Sequence, residues 1–214
     1  MINIIFDMDG VLFDTQKLYV KAWHEVADIL GIPNITEPAY LCIGRSENDQ
    51  SEVLDKYYPE GFPYEEFKEL KRQKLMSYVE KEVPLMKGTK ELLEYLKSIG
   101  ARVAIASSTR RPVIEHHLQL TGLSKYFEKI ISGDLVTHSK PAPDIYLMAC
   151  KELGVEPSDT FAIEDSYNGI RSAAAAGLKT IMIPDMQPYN DEMAGLVHGC
   201  HDNLLDFMNY LKTI

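Results

Sequence analysis

Short apolar runs that stop abruptly at acids, hydroxyls or glycine recur along the chain. Residues 2–6, 101–106 (Ala-Arg-Val-Ala-Ile-Ala), 160–163 (Thr-Phe-Ala-Ile) and 179–183 (Lys-Thr-Ile-Met-Ile) are of this kind, and a weaker run lies at 129–132. A strand covered on both faces needs continuous rather than alternating apolar residues, so these runs predict buried parallel strands. Between them the spacing becomes helical. Leu92, Leu93, Leu96 and Ile99 fall on one face of 89–99, and Gly100 follows as a stop. The segments 112–121, 143–153 and 166–176 end in the same way at Gly122, Gly154 and Gly177. This repeated order from residue 85 onward predicts an α/β fold, a Rossmann-like open parallel sheet with right-handed crossovers.

The first strand stands apart, because no strand pattern appears between residues 13 and 101. Instead 16–30 places Leu18, Ala22, Val26 and Ile29 on one face, and 46–57 and 64–81 also read as helices. The expected organisation is an α/β core made of 1–13 and 84–214, with an all-helical cap domain, 14–83, inserted after the first strand. It is an insert rather than an appendage because the sheet is incomplete without strand one.

Composition narrows the class. The 214 residues suit one domain of ~150 residues plus an insert. Hydrophobic content of 45% and charged content of 25% exclude a disordered or collagen-like chain. Lysine and arginine number 22 against 32 acids, a net charge of -10, which argues against a nucleic-acid partner. There is no apolar run of the ~18 residues a membrane span needs. The start, Met1-Ile2-Asn3-Ile4-Ile5-Phe6-Asp7, lacks the basic opening of a signal peptide. Cys42, Cys150 and Cys200 are odd in number and far apart, as expected of reduced thiols in a cytoplasmic protein.

Ligands of an open parallel sheet bind beyond the carboxyl ends of its strands, so the residues leaving each strand carry the chemistry. Strand one ends in Asp7-Met8-Asp9-Gly10, and the 101–106 strand in Ser107-Ser108-Thr109-Arg110. The 129–132 strand leads to Lys140-Pro141-Ala142-Pro143-Asp144, and the 160–163 strand ends in Glu164-Asp165-Ser166. Singly, each has a plain reading as a helix cap or a solvated loop residue. As a set they converge four acids and one lysine on one edge, and such a cluster repels itself unless a divalent cation sits there.

In this order, Asp7-Met8-Asp9-Gly10-Val11, Ser107, Lys140-Pro141-Ala142-Pro143-Asp144 and Glu164-Asp165-Ser166-Tyr167-Asn168-Gly169-Ile170 resemble the haloacid dehalogenase superfamily. More narrowly they resemble its beta-phosphoglucomutase-like branch, which carries a helical cap after the first motif. The resemblance spans nearly the whole chain. It implies that Asp7 is a nucleophile forming an aspartyl-phosphate and that Asp9 is the general acid and base. It implies a magnesium ion on Asp7, Asp165 and the backbone carbonyl of Asp9, with Glu164 acting directly or through water. Lys140 would offset the phosphoryl charge, and Ser107 would donate to a phosphate oxygen. Dehalogenases and phosphonatases of the superfamily lack the second aspartate, so Asp9 points to phosphate esters. The expectation is a magnesium-dependent phosphatase acting on a small phosphorylated metabolite, a sugar phosphate, with neither nucleic acid nor membrane as partner, working as a monomer or weak oligomer. One rival is a phosphosugar mutase of the beta-phosphoglucomutase type. Another is a catalytically silent regulatory module, against which the intact motifs argue.

Substrate contacts across the cap–core cleft are expected from Thr15, Tyr19, Gly44-Arg45-Ser46, Ser108, Thr109 and Arg110. Arg45 is a candidate to clamp a phosphate or a sugar hydroxyl, with surface solvation the equal alternative for both Arg45 and Arg110. Against the resemblance, Tyr19 stands where the mutase has a histidine, Arg110 where it has a lysine, and Gln16 where many members have glutamate. Other features receive ordinary readings. His198, Cys200 and His201 lack an evident fourth ligand, His116 and His117 read as surface residues, and Trp23 as packing. Lys68, Lys71, Arg72 and Lys74, interleaved with Glu65, Glu66 and Glu69, read as a solvated helix face.

Overall fold

The computed structural model describes residues 2–45, 50–80 and 82–214. Six parallel strands, β1 (Asn3–Phe6), β2 (Arg102–Ser107), β3 (Lys129–Ser132), β4 (Thr160–Glu164), β5 (Lys179–Met182) and β6 (Gly199–Cys200), form one sheet in the order β3-β2-β1-β4-β5-β6. β1 is central, with Ile4 opposite Val103 on one side and Phe161 on the other. Ile4, Ile5 and Phe6 are all fully buried. Ile4 and Phe6 join one apolar cluster and Ile5 the other, as the two-residue period of a strand demands. The chain builds outward from β1 to β3, then returns to the other side of β1 with β4. That reversal places the crevice at the carboxyl ends of β1, β2 and β4.

The helices of the core are α5 (Thr89–Ser98), α6 (Arg111–Thr121), α7 (Asp144–Leu153), α8 (Tyr167–Ala175), α9 (Asp191–Ala194) and α10 (Leu204–Leu211). Four more helices are inserted between β1 and α5: α1 (Gln16–Leu30), α2 (Thr36–Leu41), α3 (Gln50–Tyr57) and α4 (Tyr64–Val79). They bury a small core of their own around Trp23, Val26, Ile35, Leu54 and Phe67. Trp23 is fully buried and meets the Phe67 ring edge-on at 5.0 Å, the packing role read from the sequence. No helix among the described residues is long and apolar enough to cross a membrane.

Strand and helix positions follow the sequence pattern to within a residue or two. Positions 46–49 of the 46–57 helix, and residue 81, lie outside the described residues. β6, α2, α9 and α10 were not foreseen. β6 has two residues and no apolar run, and α2 contains Pro38 among six residues. α10 has clear signals in retrospect, since the Asn203 side chain accepts from the N–H groups of Leu205 and Asp206 and caps it.

Two readings are corrected. His117 is buried, not a surface residue, because its side of α6 packs on the core, where it meets the Phe13 ring at 5.5 Å. Lys71 belongs to no solvated face. It is buried in the helical insert, donates to Gln50 Oε1 at 2.8 Å, and lies over the Tyr19, Trp23 and Phe67 rings.

Candidate active site

Asp7 is the first residue beyond β1, tied to β4 by its N–H donating to Ile163 O at 2.9 Å. Lys140 reaches it from the loop before α7. The buried ammonium donates to Asp7 Oδ1 at 2.6 Å, Glu164 Oε1 at 2.6 Å and Ala106 O at 3.0 Å, which uses its three protons. Burial pulls the Lys140 pKa down, but Asp7 and Glu164 outweigh it and hold the group above its ordinary value, firmly charged.

Glu164, the last residue of β4, is fully buried and fully engaged. Oε1 also accepts from the Tyr146 hydroxyl at 2.7 Å, while Oε2 accepts from the N–H of Asp165 and the hydroxyl of Ser166, both at 3.2 Å. Ser166 then caps α8, accepting from Gly169 N at 3.1 Å. Gly169 has to be glycine, since a Cβ there would collide with the Glu164 carboxylate.

Asp165 is buried to the same degree but is not engaged in the same way. Oδ2 accepts from the Gln16 amide, and Oδ1 has no hydrogen-bond partner among the described residues. Burial, then Glu164, Asp7 and Asp185, push its pKa well above the carboxylate range. Asp7 is raised to about 7 by burial, with Glu164 and Asp9 adding and Lys140 opposing. Asp7, Glu164 and Asp165 each offer an oxygen, and the three lie within 4.8 Å of one another. Acidic oxygens in excess of cations, one of them orphaned, are a donor set suited to a hard divalent cation.

The Asp9 carboxylate is held at both oxygens, by the Thr15 hydroxyl on Oδ1 and by the Thr109 hydroxyl on Oδ2 at 2.8 Å. Its backbone carbonyl accepts from Gln16 Nε2 at 3.0 Å. The sharp turn after it is made by Gly10 at φ +85°, where a Cβ would strike Asp165 and Gln16.

These groups open into a cleft of about 770 Å³ between sheet edge and helical insert, within the range of small-molecule sites. Asp7, Asp9, Ser107 and Asp165 line it from the strand ends, and Tyr19, Arg45 and Lys71 from the helical insert. Ser107 accepts from Thr109 N at 3.1 Å. Of the expected substrate contacts, Tyr19, Arg45 and Arg110 face the cleft. Thr15 and Thr109 line it too but are spent on Asp9. Ser108 donates to Gly44 O at 3.0 Å and so ties the core to the insert. Ser46 lies outside the described residues. Gln16 and Tyr146 were missed as site residues. Gln16 had a signal, as a departure from glutamate, whereas nothing in the spacing of Tyr146 marks it.

A strand-end acid cluster under a helical lid defines a class. Residues 4–183 match the family model of the haloacid dehalogenase-like hydrolases. The chain is 33% identical over 202 residues to a phosphorylated carbohydrates phosphatase of Thermotoga maritima, covering 93% of this chain and 87% of that protein. It is 31% identical over 196 residues to hexitol phosphatase B of Escherichia coli K12, covering 87% and 85%. The crystal structure of CbbY from Rhodobacter sphaeroides in complex with phosphate superposes with a TM-score of 0.80 at 29% identity, over 97% and 96% of the two chains. The chain belongs to the haloacid dehalogenase-like hydrolase family. Within it the chain falls on the phosphatase and beta-phosphoglucomutase-like branch, as a phosphoric monoester hydrolase or phosphosugar mutase.

Proposed function

We infer that the protein is a magnesium-dependent phosphatase that hydrolyses a small phosphorylated metabolite, a sugar phosphate, through an aspartyl-phosphate on Asp7. The observation that carries this reading is Lys140, which joins Asp7 and Glu164 at 2.6 Å each in a buried strand-end cluster while Asp9 stands alongside on two threonines. Relatives named as phosphatases of phosphorylated carbohydrates and hexitols support the substrate class. We place the helical cap at 14–83, from which Tyr19 and Arg45 meet the sugar across the cleft from Arg110 of the core.

In the first half-reaction an Asp7 oxygen attacks phosphorus. The bond to the leaving alcohol breaks, and Asp9 gives that oxygen its proton. Asp7 needs no general base. Its obstacle is approach to an anion, and Lys140 lowers that repulsion by lying against it. In the second half-reaction Asp9 takes a proton from water, the water oxygen attacks phosphorus, and the acyl-phosphate bond breaks to release phosphate and restore Asp7. Thr15 and Thr109 hold Asp9 ready between the two transfers, and Ser107 hydrogen-bonds a phosphate oxygen. Asp7, Asp165 and the carbonyl of Asp9 would hold the magnesium, which when bound supplies positive charge to the transferring phosphoryl group. Glu164, with both oxygens committed, acts by fixing Lys140 and the backbone of Asp165.

Phosphorus NMR of beta-glucose 1-phosphate with magnesium and a trace of the 1,6-bisphosphate tests this. Free phosphate is expected, and a panel of sugar phosphates then ranks substrates. A 6-phosphate product without free phosphate would make the protein a mutase, the second reading, which Arg45 and Arg110 on the cleft wall favour.

A further inference from the structure

Gln16 opens α1, and its side chain is buried at the lining of the cleft. One amide nitrogen, Nε2, donates both to the Asp9 carbonyl oxygen at 3.0 Å and to Asp165 Oδ2. The orientation of the amide is fixed by its surroundings, because the reverse would set Oε1 against two acceptors. It has a cost, since Oε1 is left buried without a partner among the described residues. Gly10 lets the two elements approach this closely, as a Cβ there would meet both Asp165 and Gln16.

We propose that Gln16 is a gate on the metal site: its amide occupies the Asp9 carbonyl and Asp165 Oδ2, and a divalent cation must displace it to bind. This rests on the reading above that the Asp9 carbonyl and the Asp165 carboxylate are metal ligands, here with Oδ2 as a coordinating oxygen. A donor amide can hold the two oxygens when no cation does, whereas an ionised glutamate at this position would be acceptor-only and repel Asp165. Gln16 therefore stabilises the metal-free protein and weakens metal affinity by the same amount, as linkage requires.

The test uses the full metal-free chain and Mn²⁺ as the probe, with free ion measured by electron paramagnetic resonance. Gln16→Ala is expected to bind Mn²⁺ about tenfold tighter than the unaltered protein, the equivalent of ~1.4 kcal/mol. Asp165→Asn, the control on the site itself, is expected to lose binding. Thermal unfolding gives a second readout. The metal-free Gln16→Ala protein should melt lower than the unaltered one, and the gap should close in saturating Mg²⁺. Equal or weaker Mn²⁺ binding by Gln16→Ala, with Asp165→Asn still defective, overturns the gate and leaves the metal site standing. A melting gap of the same size with and without Mg²⁺ also overturns it, by showing that Gln16 only packs. Mn²⁺ binding untouched by Asp165→Asn overturns the metal reading and the gate with it.

Discussion

Glu164 and Asp165 are neighbours in the chain, carry the same charge and are both inaccessible to solvent, yet their surroundings are opposite. Leaving β4, successive side chains turn to opposite faces. Glu164 meets Lys140 and Tyr146, the latter from α7, and every oxygen is bonded. Asp165 meets Gln16 from α1 and keeps one oxygen without a partner among the described residues. A buried acid left in that condition is costly, so a fold that retains it has some other use for it. The Glu164 side is completed by the protein itself, and the Asp165 side is where the proposed function puts the cation. Asp7 lies beside both, with Oδ1 on Lys140 and an oxygen within 4.8 Å of oxygens of Glu164 and Asp165.

The largest effect is expected where the two sides meet. Asp7→Asn should lower turnover of an aryl phosphate by at least about 10³-fold, because an amide is no nucleophile here. Its circular dichroism should be unchanged. Retained turnover would remove the aspartyl-phosphate mechanism.

Next come two substitutions of opposite sign. Lys140→Met strands Asp7 and Glu164 together without their cation, which should destabilise the metal-free protein by about 3–5 kcal/mol in urea unfolding. Asp165→Asn removes an uncompensated buried acid, so the metal-free protein should be no less stable, while its stabilisation by Mg²⁺ disappears. Should Asp165→Asn cost as much as Lys140→Met, Asp165 would be as structural as Glu164 and the contrast would fail.

How far this was legible in the sequence depends on range. The strands announced themselves through apolar runs ending at chemistry, and the acids at their ends are local facts of the chain. What holds those acids is not local. Tyr146 lies 18 residues from Glu164, and Gln16 lies 149 residues from Asp165. Nothing in helical periodicity tells which polar residue turns inward to meet a partner so distant. Lys71 and His117 were misread for the same reason: charge and polarity suggest solvent, and only tertiary packing showed them buried. Thr15, Ser108 and Thr109 line the cleft, and their bonds go to Asp9 and to Gly44.

The pH dependence of cation binding separates the two sides more finely. The Asp7 pKa is raised in the folded, metal-free protein to about 7, from an ordinary value of 3.8. Between those values the folded state holds a proton that the unfolded state does not. This group's contribution to stability is therefore complete at the acid end and is lost as pH rises through about 7. Cation binding needs the Asp7 and Asp165 carboxyls ionised, and both are held above their ordinary values in the metal-free protein, so binding should release protons below pH 7 and tighten as pH rises towards neutrality. Calorimetry of Mg²⁺ binding in two buffers of different ionisation enthalpy counts the protons. Affinity that falls as pH rises would contradict the raised value and its cause in burial.

The smallest change probes the Glu164 side alone. Tyr146→Phe removes one hydroxyl from Glu164 Oε1 and leaves the Lys140 contact in place. A hydrogen bond to a charged group typically contributes about 1.5–3 kcal/mol, and the remaining ammonium should keep the loss near the lower limit. Stability should therefore fall by about 1–2 kcal/mol whether or not Mg²⁺ is present, because Glu164 is committed to the protein in both states. A loss confined to the metal-free protein would mean that Glu164 leaves Tyr146 for the cation, and the two neighbouring acids would then share a task that the metal-free geometry divides between them.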